Sequence, residues 1–251
     1  MLRILMTGLA LSMPLAAIAQ KAPTEAPADA AAPAPQPDKP AEAASTDAAA
    51  AATPAPEAKA QEKPPEFLPN LYDVTVVETW DTLNVRETPD GQAKVIATLP
   101  ATAKGVELIA RDATGKWGKV NAGEQTGWVA MRFLKPEQGV WQAASLPQSL
   151  HCSGTEPFWS LKASKSGITF SEPDQAERQL ELRKVMDRGI EGEPTRGLIA
   201  GDDKGRVTAF VRPAQCSDGM SDRAFGLAVS VILDGAEMPS RMLTGCCSIA
   251  R

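Results

Sequence analysis

Four cysteines, Cys152, Cys216, Cys246 and Cys247, and a single histidine, His151, are the residues of this chain best suited to chemistry. A thiolate nucleophile needs a free cysteine with an imidazole facing it. His151 instead adjoins Cys152 in sequence, where neighbouring side chains rarely face each other. Cys216, Cys246 and Cys247 as soft ligands, or Asp218 with Asp222 as hard ones, follow no established metal-ligand spacing. Asp218-Gly219 reads more simply as a turn, and Asp222-Arg223 as a local charge pair. The expectation is a protein that is not an enzyme, with no catalytic residue, no metal site and no cofactor, whose cysteines form disulfides.

An even number of cysteines in an exported chain reads as a disulfide framework, and four allow three pairings. Joining Cys246 to Cys247 is improbable because adjacent residues are held too close for ordinary disulfide geometry. Successive residues on a strand point to opposite faces, which suits these two to different partners. The preferred pairing joins Cys216 to Cys246, enclosing one hairpin, and Cys152 to Cys247, tying the first strand of the unit to its last. The crossed pairing is the alternative.

Export is read from the N-terminus. Arg3 supplies a positive start, Ile4 to Ile18 is almost wholly apolar, and Ala17-Ile18-Ala19 before Gln20 has the small-x-small pattern of a cleavage site. Residues 1–19 are therefore expected to be a signal peptide cleaved between Ala19 and Gln20. The run is short of the roughly 20 residues that span a bilayer, and Pro14 interrupts it. No later segment is apolar enough to cross a membrane, and no cysteine at the cleavage point offers a lipid anchor. The expected location is the periplasm or the exterior. From Gln20 to Glu66, 28 of 47 residues are Ala or Pro. Such a segment buries too little surface to offset its ordering entropy, so a disordered, extended tether is expected over 20–66. The formal net charge of the chain is −5, and no part is basic enough to argue for nucleic acid or an anionic membrane surface.

Two folded units must position whatever function exists. Over 71–136, short β-branched runs at Asp73 to Thr79, Val95 to Leu99, Val106 to Ala110, Trp117 to Val120 and Thr126 to Ala130 alternate with the turns Asp112 to Lys116 and Asn121 to Gln125. Five strands in so short a unit hide their edges by closing into a small barrel. Leu83, Asn84, Val85, Arg86, Pro89, Leu99, Gly105, Trp117, Val120, Gly127, Trp128, Val129 and Leu134 carry the sequence pattern, and the unit resembles the bacterial SH3-like domain. That resemblance implies an all-β, non-catalytic module that binds cell-wall peptidoglycan, through peptide or glycan, or an envelope protein partner. It places the ligand groove at Trp80, Asp81, Asn84, Arg86 and Glu87 on the first loop, with Trp117 opposite. Arg86 would pair with a carboxylate of a stem peptide and Trp80 would stack on a sugar ring. Trp128 is read as core.

Over 146–251 the pattern is again β. Phe225, Leu227, Val229, Val231 and Leu233 alternate with smaller residues, Asp234-Gly235 marks a turn, and further runs suggest an antiparallel meander or barrel of six to eight strands. Gln179 to Met186 also fits a helix, but its alternation favours a strand. Cys152 to Trp159 (CSGTEPFW), Cys216 to Arg223 (CSDGMSDR) and Gly245-Cys246-Cys247 resemble an uncharacterised family of bacterial periplasmic proteins and lipoproteins, which brings no activity with it. The alternative function is a periplasmic inhibitor resembling the lysozyme inhibitors, offering Ser217, Asp218, Ser221 and Arg223 as its loop, or a carrier of a small ligand.

Overall fold

The computed structural model describes residues 66–164, 167–235 and 238–250. The signal peptide and, apart from Glu66, the tether expected from the sequence lie outside these residues. Every regular element among the described residues is a β-strand except one 3-10 turn, Met131–Phe133, and no helix there is long and apolar enough to cross a membrane.

The alternation in the second half builds a closed barrel of eight antiparallel strands. These are β9 (His151–Thr155), β10 (Phe158–Ser164), β11 (Gly167–Ser171), β12 (Arg178–Met186), β13 (Arg196–Gly201), β14 (Arg206–Cys216), β15 (Phe225–Gly235) and β16 (Met238–Ser248). Each pairs with the next in sequence, and β16 returns to pair with β9. The segment with the helix alternative is strand β12, paired with β11 and β13, with a bulge between Leu182 and Lys184. Inward positions are apolar, as the period of two requires. Leu227, Val229, Val231 and Leu233 of β15 are buried with Leu161, Phe170, Leu180, Leu198 and Val207 in a core that fills the barrel, while Phe225 is buried outside that cluster.

Two disulfides lock this closure. Cys152 and Cys247 stand opposite each other across the β9–β16 seam, with Cα atoms 4.0 Å apart, and both are fully buried. Cys246 faces the other side of β16 and bonds Cys216, with Cα atoms 5.6 Å apart. A register shift between Pro213 and Cys216 lets the end of β14 reach across β15 to make this bond.

The first half forms two small sheets. One has the order β4-β1-β8, from β1 (Asn70–Val74), β4 (Val106–Leu108) and β8 (Leu134–Pro136). The other has the order β3-β2-β7-β6-β5, from β2 (Thr82–Arg86), β3 (Val95–Pro100), β5 (Ala110–Arg111), β6 (Trp117–Ala122) and β7 (Gln125–Ala130). Tyr72, Val74, Leu83, Val85, Leu108, Val120 and Val129 pack between them. The first strand begins earlier than its composition suggests. It ends at Val74, because the Thr75 N–H is drawn to the Phe133 carbonyl and Val76 takes a positive φ of 59° that breaks the strand. The residues expected on the first loop also shift: Asn84 and Arg86 lie on strand β2, whose short TLNVR run alternates polar and apolar.

The two halves share a core. Leu71 of β1, with Trp141 and Leu150 of the connecting segment, belongs to the apolar cluster that fills the barrel. Trp141 donates its indole N–H to the Pro69 carbonyl at 2.8 Å. Arg196, only 1 % exposed, holds the connection down by donating to the carbonyls of Gln142, Ser145, Glu193 and Thr195, and its guanidinium lies 5.2 Å from the Trp141 ring centroid. A buried cation is tolerated only when so fully hydrogen-bonded.

The disulfides should differ in stabilising effect. Cys152–Cys247 closes a separation of 95 residues and Cys216–Cys246 one of 30. Loop-closure entropy then assigns about 4.7 and about 3.6 kcal/mol respectively. Urea denaturation of the Cys152→Ala/Cys247→Ala and Cys216→Ala/Cys246→Ala double variants checks this, with the larger loss of midpoint expected for the first.

Candidate binding face

Strands β2, β6 and β7 present one buried and one outward side. Leu83, Val85, Gly118, Val120, Gly127 and Val129 face the core, so Asn84, Arg86, Trp117, Lys119, Asn121, Thr126 and Trp128 share the outer face. Gly118 keeps the sheets in contact, since a Cβ there would stand 2.2 Å from Leu108 Cδ1, and Gly127 lets β7 approach β2, since a Cβ there would stand 2.8 Å from the Arg86 carbonyl oxygen. Pairing sets the rows of the face. Trp128 lies between Arg86 and Lys119, Trp117 lies opposite Ala130, and Asn121 opposite Thr126. Trp128 is therefore not a core residue. It is half-buried on the outer face with the Lys119 ammonium 5.0 Å from its ring centroid, a cation–π geometry. Strand parity decides this, and a tryptophan's size misleads about which parity it holds.

The residues expected to form a groove are spread over this face and its margin. Asn84, Arg86 and Trp117 lie on the face itself, and Glu87 follows the end of β2. Trp80 and Asp81 sit in a turn closed by the Asp81 N–H donating to the Glu78 carbonyl, and Asp81 also accepts the Thr82 N–H at 2.7 Å. That turn leaves Trp80 83 % exposed. Arg86 has a structural duty, donating to the Ala93 carbonyl at 2.6 Å across the β2–β3 hairpin. Trp117 is positioned by its backbone N–H on Asp112, whose carboxyl is held below the usual range chiefly by the Thr114 hydroxyl. The added residues Trp128 and Lys119 leave a face with two tryptophans, an arginine and a lysine, able to stack on a planar or sugar ring and to attract an anion.

The barrel borders this face. Asn121 donates to the Ala224 carbonyl at 2.8 Å, and the Ala224 N–H is shared by Asn121 Oδ1 and Thr126 Oγ1. Asp222 pairs with Gln125 in an isolated parallel bridge. On the adjoining sheet, Glu107 of β4 is 4 % exposed and accepts the Ser248 hydroxyl and the Ile249 N–H. Its second oxygen, Oε1, is buried with no hydrogen-bond partner among the described residues. The expected loop residues lie beside this seam. Burial would raise the Asp218 carboxyl, but the N–H groups of Met220 and Ser221 and the Ser221 hydroxyl hold it below the usual range in its own turn. Ser217 accepts the Gly219 N–H, and Arg223 lies over Phe225 at 5.3 Å rather than pairing with Asp222. Among the described residues, no group of three or more His, Cys, Asp or Glu side chains is placed to hold a metal ion.

Two small packed sheets with an outward aromatic and basic face make a compact β-domain. Residues 81–135, which contain that face, match the family model of the bacterial SH3 domain. Comparison with curated proteins finds no match, and comparison with solved structures finds none.

The seam makes a testable statement about pH. Burial holds the Glu107 carboxyl above the usual range against the hydrogen bonds from Ser248 and the backbone. A raised folded-state pKa costs stability above that pKa, and the cost vanishes as pH falls below the unfolded value of about 4.3. Glu107→Gln should therefore raise the melting temperature at pH 8 and lose that advantage progressively on acidification. Thermal unfolding at a series of pH values checks the sign.

Proposed function

We propose that this is a non-catalytic binding protein of the bacterial envelope, exported by a cleaved signal peptide to the periplasm or exterior. Its SH3 domain holds cell-wall peptidoglycan, through peptide or glycan, or an envelope protein. The observation that carries this reading is the joint occurrence of the bacterial SH3 match over 81–135 and the outward row Arg86, Trp128 and Lys119, flanked by Trp117, with Trp80 exposed on a separate turn. Two disulfides support an oxidising compartment. The inhibitor or carrier reading draws less support. Asp218 spends its carboxylate on its own turn, and a carried ligand would have to displace the side chains that fill the barrel.

Co-sedimentation of the full mature chain with purified peptidoglycan sacculi tests the reading. Trp80→Ala should leave the melting temperature unchanged and lower retention severalfold, since its ring packs on little. Lys119→Glu, reversing the charge beside Trp128, should weaken retention more at low than at moderate salt. If the unaltered chain stays in the supernatant, or if both variants pellet as it does, the wall-binding reading fails.

A further inference from the structure

Two hollows on the outer wall of the barrel meet at the tip of the β9–β10 hairpin. One, of about 470 Å³, is lined among others by Glu156, Arg212, Ser230, Thr244 and the Cys216–Cys246 bridge. The other holds Phe158 and Ser160. Both include Ser153, Gly154, Thr155 and Asp218, and Thr155 Oγ1 donates to the Asp218 carbonyl at 3.1 Å, fixing the 217–221 turn against the hairpin. Stretches more than fifty residues apart, TEPF and CSD, thus build one continuous surface. Gly154 and Gly245 in its lining set how closely the strands and the core behind it approach. A Cβ on Gly245 would stand 2.0 Å from the Ser153 carbonyl oxygen, and one on Gly154 would stand 2.2 Å from Trp159 Nε1, so glycine is required at both. At the rim of the second hollow the Phe158 ring is 51 % exposed.

The lining selects among ligand classes. Ser153 and Cys246 lie in strands already paired on both sides, so no sheet edge is open for an added peptide strand. Among the described residues Arg212 is the one cation lining the first hollow, and Glu156 and Asp218 oppose it, which disfavours a polyanion. The hydroxyls of Ser153, Ser230 and Thr244 disfavour an apolar ligand, whose contact would leave them unpaired, and Thr155, which donates to Asp218, keeps its oxygen as an acceptor. A sugar combines hydroxyls with an apolar ring face, and both have a counterpart here. We propose that this surface is a second binding site, separate from the SH3 face, that takes a linear uncharged oligosaccharide. The ligand's hydroxyls bond Ser153, Thr155, Ser230 and Thr244, and one ring stacks on Phe158.

The test is backbone amide shift mapping of the full mature chain titrated with chitotetraose and, separately, cellotetraose. Saturable shifts are expected over 153–158 and at Ser230 and Thr244 with at least one of these sugars. Phe158→Ala should weaken that binding about tenfold, and Ser230→Tyr, which fills the first hollow from an exposed position, should abolish it; both should melt as the native chain does. The proposal is overturned if neither sugar gives saturable shifts at millimolar concentration, or if Phe158→Ala binds like the native chain. Shifts confined to Trp117, Lys119 and Trp128 would overturn it too, while moving the sugar to the SH3 face.

Discussion

The pairing of β16 with β9 is the constraint on which the rest of the molecule depends. A meander of eight strands has two open edges until its last strand finds its first, and only closure turns alternating apolar positions into an enclosed core. Three register pairs, Cys246 with Ser153, Cys247 with Cys152 and Ser248 with His151, make that closure. Small residues allow it, because Gly245 and Gly154 leave room for the backbones and the Trp159 indole to approach. The same short ladder places Cys246 outward toward Cys216, so one pairing fixes both disulfides and the hollow beside them.

Closure at the seam leaves the end of the barrel to be filled, and the first half of the chain fills it. Leu71 and Trp141 enter the barrel core, Arg196 anchors the connection with two carbonyl bonds, and Glu107 receives Ser248 and Ile249 at the end of β16. The SH3 domain is consequently held by the side of its β4-β1-β8 sheet that faces away from its own core and by the row Asn121–Thr126 at its rim. What remains outward is the part of the face from Lys119 and Trp128 towards Trp117, with Trp80 standing apart on its turn.

Much of this was legible in the residues because it depends on local period. The alternation of Phe225 to Leu233 defines a strand and its inner side, adjacent Cys246 and Cys247 point to opposite faces, and the 81–135 pattern carries the resemblance that the family comparison shows. What stayed illegible depends on parity and on distant partners. Thr75, Val76 and Val77 have the composition of a strand, yet tertiary hydrogen bonds to Phe133 and Ala103 turn the chain there. Trp128 has the size of a core residue but the parity of a surface one. Nothing near Glu107 or Asn121 in sequence announces Ser248 or Ala224, more than a hundred residues away, as their partners.

The connectivity of the cysteines also has a consequence for how the chain is made. Synthesis proceeds from the N-terminus, and Cys152 appears long before Cys247, its partner. The first thiol to become available to it is Cys216, which belongs to Cys246. A Cys152–Cys216 bond would tie β9 to the end of β14 while β15 and β16 are absent, and would keep both native bridges from forming. Correct assembly therefore favours late oxidation, after the final strand has docked, or a catalyst that reshuffles an early wrong pair by thiol–disulfide exchange.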